Sequence, residues 1–136
     1  MGDAASRVAD ELAVQRLMST YCQLVDDGRF VDVAALFADD GVFENRGAQI
    51  GRHQLVSFLE EAQVPERRGR HSCGYTLVHF DGDDDANAST DFVFMGRADG
   101  GFVVKLVGRY YDTLRRGPGG WQFVLRRVGY VDPVVT

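Results

Sequence analysis

Residues 12–44 read LAVQRLMSTYCQLVDDGRFVDVAALFADDGVFE, and this stretch carries the strongest structural signal in the chain. Its first half belongs to a predicted helix over residues 5–26, where apolar side chains recur at helical spacing. This apolar stripe consists of Val8, Leu12, Val14, Leu17, Met18, Tyr21 and Val25. We expect Asp3 or Ser6 to cap the helix and Asp26-Asp27-Gly28 to end it, because glycine accepts the left-handed geometry common at helix ends.

The second half of the stretch predicts a short helix, a turn and a strand. The apolar face of this second helix consists of Phe30, Val33, Leu36 and Phe37. Asp39-Asp40-Gly41 predicts the turn, and residues 41–44 are expected to form the strand. A third helix is expected over residues 51–63 and is ended by Pro65. Its apolar face consists of Leu55, Phe58 and Leu59.

Beyond the third helix the apolar period changes to two, which is typical of strands. Strands are predicted over residues 71–80, 86–97, 102–114 and 121–131. Short acidic or glycine-rich turns separate them, so neighbouring strands must run antiparallel. Three N-terminal helices followed by a four-stranded meander predict an α+β fold. Long antiparallel strands coil, so we expect a strongly curved, mainly antiparallel sheet that forms a cone with an internal pocket.

Composition narrows the classes of function. The 136 residues predict one domain over residues 1–136, and the net charge of -5 disfavours nucleic acid as a partner. The two cysteines, Cys22 and Cys73, suit a reducing compartment. No signal-like or membrane-spanning stretch is visible, which predicts a cytoplasmic protein that does not bind membranes. Nine Phe and five Tyr can line a pocket for a small apolar or aromatic molecule.

The quoted stretch resembles the start of SnoaL-like proteins of the nuclear-transport-factor-2-like superfamily. GRYYDTLRR at residues 108–116 and WQFVLRRV at residues 121–128 resemble its last two strands. The resemblance implies the cone-shaped fold and a homo-oligomer, a dimer or a trimer. The superfamily includes polyketide cyclases, dehydratases, isomerases and dioxygenase small subunits, so the fold alone assigns no reaction.

Within this superfamily, the pattern is most similar to that of scytalone dehydratase and lindane dehydrochlorinase. Both pair an Asp at the end of the first helix with a His at the start of the first long strand, and the matching residues are Asp26 and His71. The dehydrochlorinase pattern adds an Arg in the last strand, matched by Arg126. Scytalone dehydratase has a second pocket His on the next strand, whereas residues 86–97 contain none.

These residue types suit proton abstraction. A carboxylate that accepts from one ring nitrogen fixes the His tautomer and leaves the other nitrogen as a base, and histidine accepts a proton near neutral pH. We therefore expect His71 to act as general base, Asp26 to orient it and Arg126 to bind a developing enolate or departing anion. No metal or organic cofactor is required. The candidate substrate-binding residues are Tyr21, Cys73 and Tyr75.

Each assignment has a structural alternative. Asp26 also fits a polar residue at a helix end, and His71 a satisfied core histidine. Arg126 competes with Arg127, because adjacent strand residues point to opposite faces. Core packing is the alternative for the tyrosines and for Cys73. His53 and His79 are expected to be exposed, although His79 is assigned to the same strand face as His71, and Asp112 is expected to be structural.

The leading hypothesis is a cofactor-independent lyase or isomerase, of dehydratase or cyclase type, acting on a small, largely apolar molecule. The alternatives are a non-catalytic small-molecule-binding protein and a scaffold resembling a dioxygenase small subunit. A contact between Asp26 and His71 inside the cavity favours catalysis, whereas an outward-pointing His71 favours binding alone.

Overall fold

A computed structural model describes residues 4–131, in which a layer of helices packs on one curved sheet. The helices are α1 (Ala4–Asp26), α2 (Phe30–Ala35) and α3 (Arg52–Ala62), followed by one 3-10 turn (Pro65–Arg67). The strands are β1 (Phe37–Asn45), β2 (Ala48–Gly51), β3 (Arg70–Cys73), β4 (Leu77–Asp81), β5 (Asp85–Ala98), β6 (Gly101–Gly117) and β7 (Gly120–Tyr130). The predicted α+β class, with three helices on a mainly antiparallel curved sheet, is confirmed. Asp3 lies outside the described residues, and Ser6 lies inside α1 and therefore does not cap its start.

The sheet has the strand order β2-β1-β7-β6-β5-β3, and β4 also pairs with β5. Strands β5, β6 and β7 form the predicted antiparallel meander. Strand β1 runs parallel to β7, a long-range pairing that the local pattern does not reveal. The core lies between α1 and the inner face of the sheet, and its most buried side chains include Val14, Met18, Phe37, Leu114 and Phe123. Burial of each of these contributes about 1.5–3 kcal/mol. Val8 and Leu12, at the start of α1, are exposed and lie outside this core.

The predicted turn at Asp39-Asp40-Gly41 is wrong, because these residues lie inside β1. The pairing of β1 with β7 shifts register between Phe37 and Val42, so the polar residues mark an irregularity in a strand rather than a reversal of the chain. Phe37 accordingly begins β1 and is not part of the second helix. The reversal occurs later, at Arg46 and Gly47, whose φ angles of 51° and 83° join β1 to the unpredicted β2.

The predicted strand 71–80 is interrupted, which changes the side-chain faces along it. The backbone N–H of Thr76 leaves the ladder and donates to Oε1 of Gln15 on α1, at 2.9 Å. Strands β3 and β4 both pair with β5, but the alternation inverts across the interruption. His71 therefore faces inward, whereas His79 is exposed on the opposite face, contrary to the assignment of both to one face.

Candidate active site

A cavity of about 420 Å³ lies between the helices and the inner face of the sheet. Its apolar lining consists of Val25, Phe43, Phe58, Leu59, Ala62, Phe92, Leu106 and Val128. Its polar lining consists of Tyr21, Asn45, Arg46, Gln63, Arg67, His71, Tyr110 and Tyr130. Half of the lining residues are thus apolar and half carry a polar group, and a concave site of this volume is typical of small-molecule binding.

Asp26 and His71 meet at the wall of this cavity. Oδ1 of Asp26 lies 2.6 Å from Nδ1 of His71, and Oδ2 accepts the backbone N–H of His71 at 2.9 Å. The two side chains are 4% and 8% exposed, respectively. A carboxylate only accepts hydrogen bonds, so the neutral imidazole carries its proton on Nδ1 and leaves Nε2 as a base. The pair thus has the geometry of an oriented general base.

Local structure fixes both partners. Asp26 is the last residue of α1, and the chain leaves the helix through Gly28, whose φ of 73° is suited to glycine. His71 is held on β3 opposite Phe94 of β5, and the imidazole packs against the Phe94 ring with centroids 4.6 Å apart. Asp26 and His71 both belong to regular secondary structure, at the end of α1 and at the start of β3. The backbone of these two elements therefore holds the dyad in position.

Arg126 points inward, as expected, but it does not line the cavity. Its fully buried guanidinium donates to both carboxylate oxygens of Asp112, from Nε at 2.9 Å and from Nη2 at 3.1 Å. Nη2 also lies 3.0 Å from the sulfur of Met18, and Nη1 has no hydrogen-bond partner within the described part of the chain. Arg127, on the other face of β7, is exposed. Other groups contact both the guanidinium and the cavity.

Those groups are aromatic rings stacked on the guanidinium. The Cζ atom of Arg126 lies 4.2 Å from the ring centre of Tyr21 and 3.7 Å from that of Tyr110. Both tyrosines line the cavity. Burial raises the pKa of both phenols, so each hydroxyl stays protonated at neutral pH and can donate a hydrogen bond. Tyr110 was not proposed from the sequence. It lies two residues before Asp112 in a predicted strand, and residues at that spacing share one face.

Cys73 and Tyr75 do not line this cavity. Cys73 is half-buried and faces α1, where it contacts Cys22. Tyr75 is 71% exposed, and its hydroxyl donates to Glu11 at 3.3 Å. The interruption after β3 carries Tyr75 out of the inward register, and this is the physical reason that it cannot contribute to the cavity. Of the three proposed substrate-binding residues, Tyr21 alone lines the cavity.

The described residues also bear on metal and membrane binding. Between residues 4 and 131, no cluster of three or more His, Cys, Asp or Glu side chains has an arrangement that could hold a metal ion. None of the helices described in the structure is long and apolar enough to span a bilayer.

Residues 6–127 match the family model of the SnoaL-like domain. The chain belongs to the SnoaL-like family. A solved relative of this SnoaL-like chain is Rv3472(D26N) from Mycobacterium tuberculosis, a protein of unknown function, with 29% identity and a TM-score of 0.89. The match covers 98% of this chain and 79% of that one.

Two further solved structures, both from Novosphingobium aromaticivorans, share the SnoaL-like fold. An NTF2-like protein with a cystatin-like fold is 26% identical with a TM-score of 0.85, covering 98% of this chain and 94% of that one. A protein provisionally named scytalone dehydratase is 24% identical with a TM-score of 0.83, covering 96% and 89% of the two chains. At that identity the second likeness concerns the fold alone.

Proposed function

We propose that this SnoaL-like chain is a cofactor-independent lyase or isomerase in which His71 removes a proton from carbon. The observation that carries the proposal is the 2.6 Å contact between His71 Nδ1 and Asp26 Oδ1 at the wall of a cavity that is half apolar and half polar in its lining. A positioned base of this kind contributes roughly 10²- to 10⁴-fold to a proton transfer. The family resemblance that predicted the Asp26–His71 pair also supports a lyase or isomerase reaction.

The proton transfer uses the free ring nitrogen. Nε2 of His71 accepts a proton from a carbon beside a carbonyl group, and the electron pair of the C–H bond moves to the carbonyl oxygen as an enolate. The imidazolium that forms is stabilised by the carboxylate of Asp26, which is nearly excluded from water. Return of the proton to another carbon gives isomerisation, whereas loss of a leaving group from the neighbouring carbon gives elimination.

The hydroxyls of Tyr21 and Tyr110 are the donors proposed for the enolate oxygen. Both phenols remain neutral because burial raises the pKa of each, and both rings rest on the Arg126 guanidinium. The positive charge behind the rings favours negative charge developing at their hydroxyl ends. In this scheme Arg126 is a positioning residue, because Asp112 engages it and it does not reach the cavity.

The shape of the cavity favours one class of substrate. A volume of about 420 Å³ with walls rich in Phe and Tyr suits a molecule of one or two rings that is largely apolar and carries a carbonyl group. Such a molecule presents a carbon acid to His71 and an oxygen to the tyrosine hydroxyls. A small aromatic ketone or a hydroxylated polyketide-like ring meets both requirements.

An isotope-exchange assay tests the proposal without knowledge of the natural substrate. The protein is incubated in D₂O with a panel of one- and two-ring aromatic ketones, and loss of the proton signal beside the carbonyl is followed by NMR. We expect exchange on at least one ketone that binds to exceed the exchange given by an equal concentration of free imidazole by at least 10²-fold. Binding of panel members with exchange no faster than that of imidazole would overturn catalysis and leave a binding protein.

A further inference from the structure

Side chains of α1 contact β3 and the segment that follows it at two places. At one end, Asp26 contacts His71. Further along, the side-chain amide of Gln15 donates to the carbonyl of Thr76 at 2.9 Å and accepts its N–H at 2.9 Å. Residue numbers fall along α1 as they rise along the strands, so the two elements pack in opposite directions. Residues at intermediate positions that face the same seam are therefore brought close together.

Cys22 and Cys73 occupy that intermediate position. Cys22 lies one helical turn before Asp26, and Cys73 lies two residues after His71 on the same strand face. The thiols of Cys22 and Cys73 lie close enough to interact, and both cysteines are free. The two thiols are thus neighbours across the seam, beside the Asp26–His71 hydrogen bond.

The two thiols differ in access and in chemistry. Cys22 is buried, whereas Cys73 is half-buried. The hydrogen bond from Cys22 lowers the pKa of the Cys73 thiol, and a further hydrogen bond with Ser19 acts in the same direction. The thiolate is the reactive form and Cys73 is the more exposed of the two cysteines, so an oxidant meets its sulfur first.

We propose that Cys73 and Cys22 form a reversible intramolecular disulfide when the protein meets hydrogen peroxide. The Cys73 thiolate attacks one peroxide oxygen, the O–O bond breaks, and Cys73 becomes a sulfenic acid with release of hydroxide. The Cys22 sulfur then attacks the Cys73 sulfur, the S–O bond breaks and water leaves as the thiol proton is released. In sum, two thiols and one peroxide give one disulfide and two waters.

This inference does not depend on the proposed enzymatic reaction. It rests on two neighbouring thiols, one half-buried and one buried, as an attacking and a resolving cysteine require. The disulfide would close a loop between α1 and β3, and cross-links of this kind stabilise a fold by restricting the unfolded chain. Oxidation is therefore expected to raise the urea midpoint of unfolding, and dithiothreitol to restore the original value.

Mass spectrometry of the native protein tests the proposal with hydrogen peroxide as the probe. We expect the wild type to lose two hydrogens, about 2 Da, and peptide mapping to find Cys22 linked to Cys73. In Cys22→Ser, Cys73 should accumulate as a sulfenic acid that dimedone traps. In Cys73→Ser, Cys22 should react at least tenfold more slowly than Cys73 does in Cys22→Ser.

The peptide map of the oxidised wild type tests the Cys22–Cys73 disulfide even if a variant fails to fold. Cross-links between separate chains only, or sulfinic and sulfonic acids on Cys73 without a link to Cys22, would overturn the proposal. Equal reaction rates for the two cysteines in the folded single variants would also contradict it, because the buried thiol would then be as open to peroxide as its neighbour.

Discussion

Replacing His71 with asparagine is expected to lower carbon-proton exchange by roughly 10²- to 10⁴-fold, the contribution of a positioned base. The asparagine amide group can still donate to Asp26 from near the position of Nδ1, so the hydrogen bond at the helix end is preserved. Nothing in the variant occupies the position of Nε2. Rates of exchange in D₂O for the wild type and His71→Asn, compared on the same ketone, measure the loss.

A matched control separates the base from a general effect of histidine loss. His79 lies on β4 and is exposed, so His79→Asn should leave both exchange and stability unchanged. Ligand affinity of His71→Asn should stay within about threefold of that of the wild type, because the apolar walls of the cavity are intact. A folded His71→Asn that exchanges protons as fast as the wild type would remove His71 from the reaction.

Replacing Arg126 with methionine is expected to destabilise the protein by about 3–5 kcal/mol, the cost of breaking a buried ion pair from one side. Methionine fills much of the space of the Arg126 side chain. The loss of stability therefore comes chiefly from Asp112, whose carboxylate stays buried without its cationic partner. The free energy of unfolding from urea titration measures this loss. Arg127→Met is the control, because Arg127 is exposed on the opposite face and its removal should cost under about 1 kcal/mol.

The pH dependence of Arg126→Met gives a second readout with a definite sign. Burial already raises the pKa of Asp112 in the wild type, although Arg126 opposes the rise. A carboxyl group whose folded pKa exceeds its unfolded value favours folding at low pH, and this contribution is lost as the pH rises through the folded pKa. The loss of unfolding free energy in Arg126→Met should therefore shrink as the pH falls toward about 4, the ordinary pKa of a carboxyl group. A deficit that is constant with pH would contradict an unpaired Asp112 as its cause.

Sequence alone predicted the features with strong local signals. The apolar stripe and the glycine after Asp27 located the end of α1, and with it Asp26. Alternation in the last three strands located β5, β6 and β7, because hairpins form between neighbours in sequence. Alternation predicted the strand that starts at His71, the family resemblance singled out His71 as the partner of Asp26, and the structure places its ring against Asp26.

Features that depend on distant partners were not predictable in this way. The parallel pairing of β1 with β7 turned an apparent acidic turn into strand. The bond from Thr76 to Gln15 interrupted a strand that looked continuous and moved Tyr75 to the surface. The engagement of Arg126 by Asp112 likewise requires knowledge of the pairing between β6 and β7, where the two residues lie opposite each other. A one-dimensional pattern holds none of this information.

The most direct test of the account is the protonation of the His71 ring, measured by long-range ¹H–¹⁵N NMR on the neutral imidazole. The Asp26 contact predicts a proton on Nδ1 and none on Nε2, and a resonance of Nε2 that shifts when an aromatic ketone enters the cavity. A neutral ring protonated on Nε2, or an Nε2 resonance that does not respond to a bound ketone, would contradict His71 as the base.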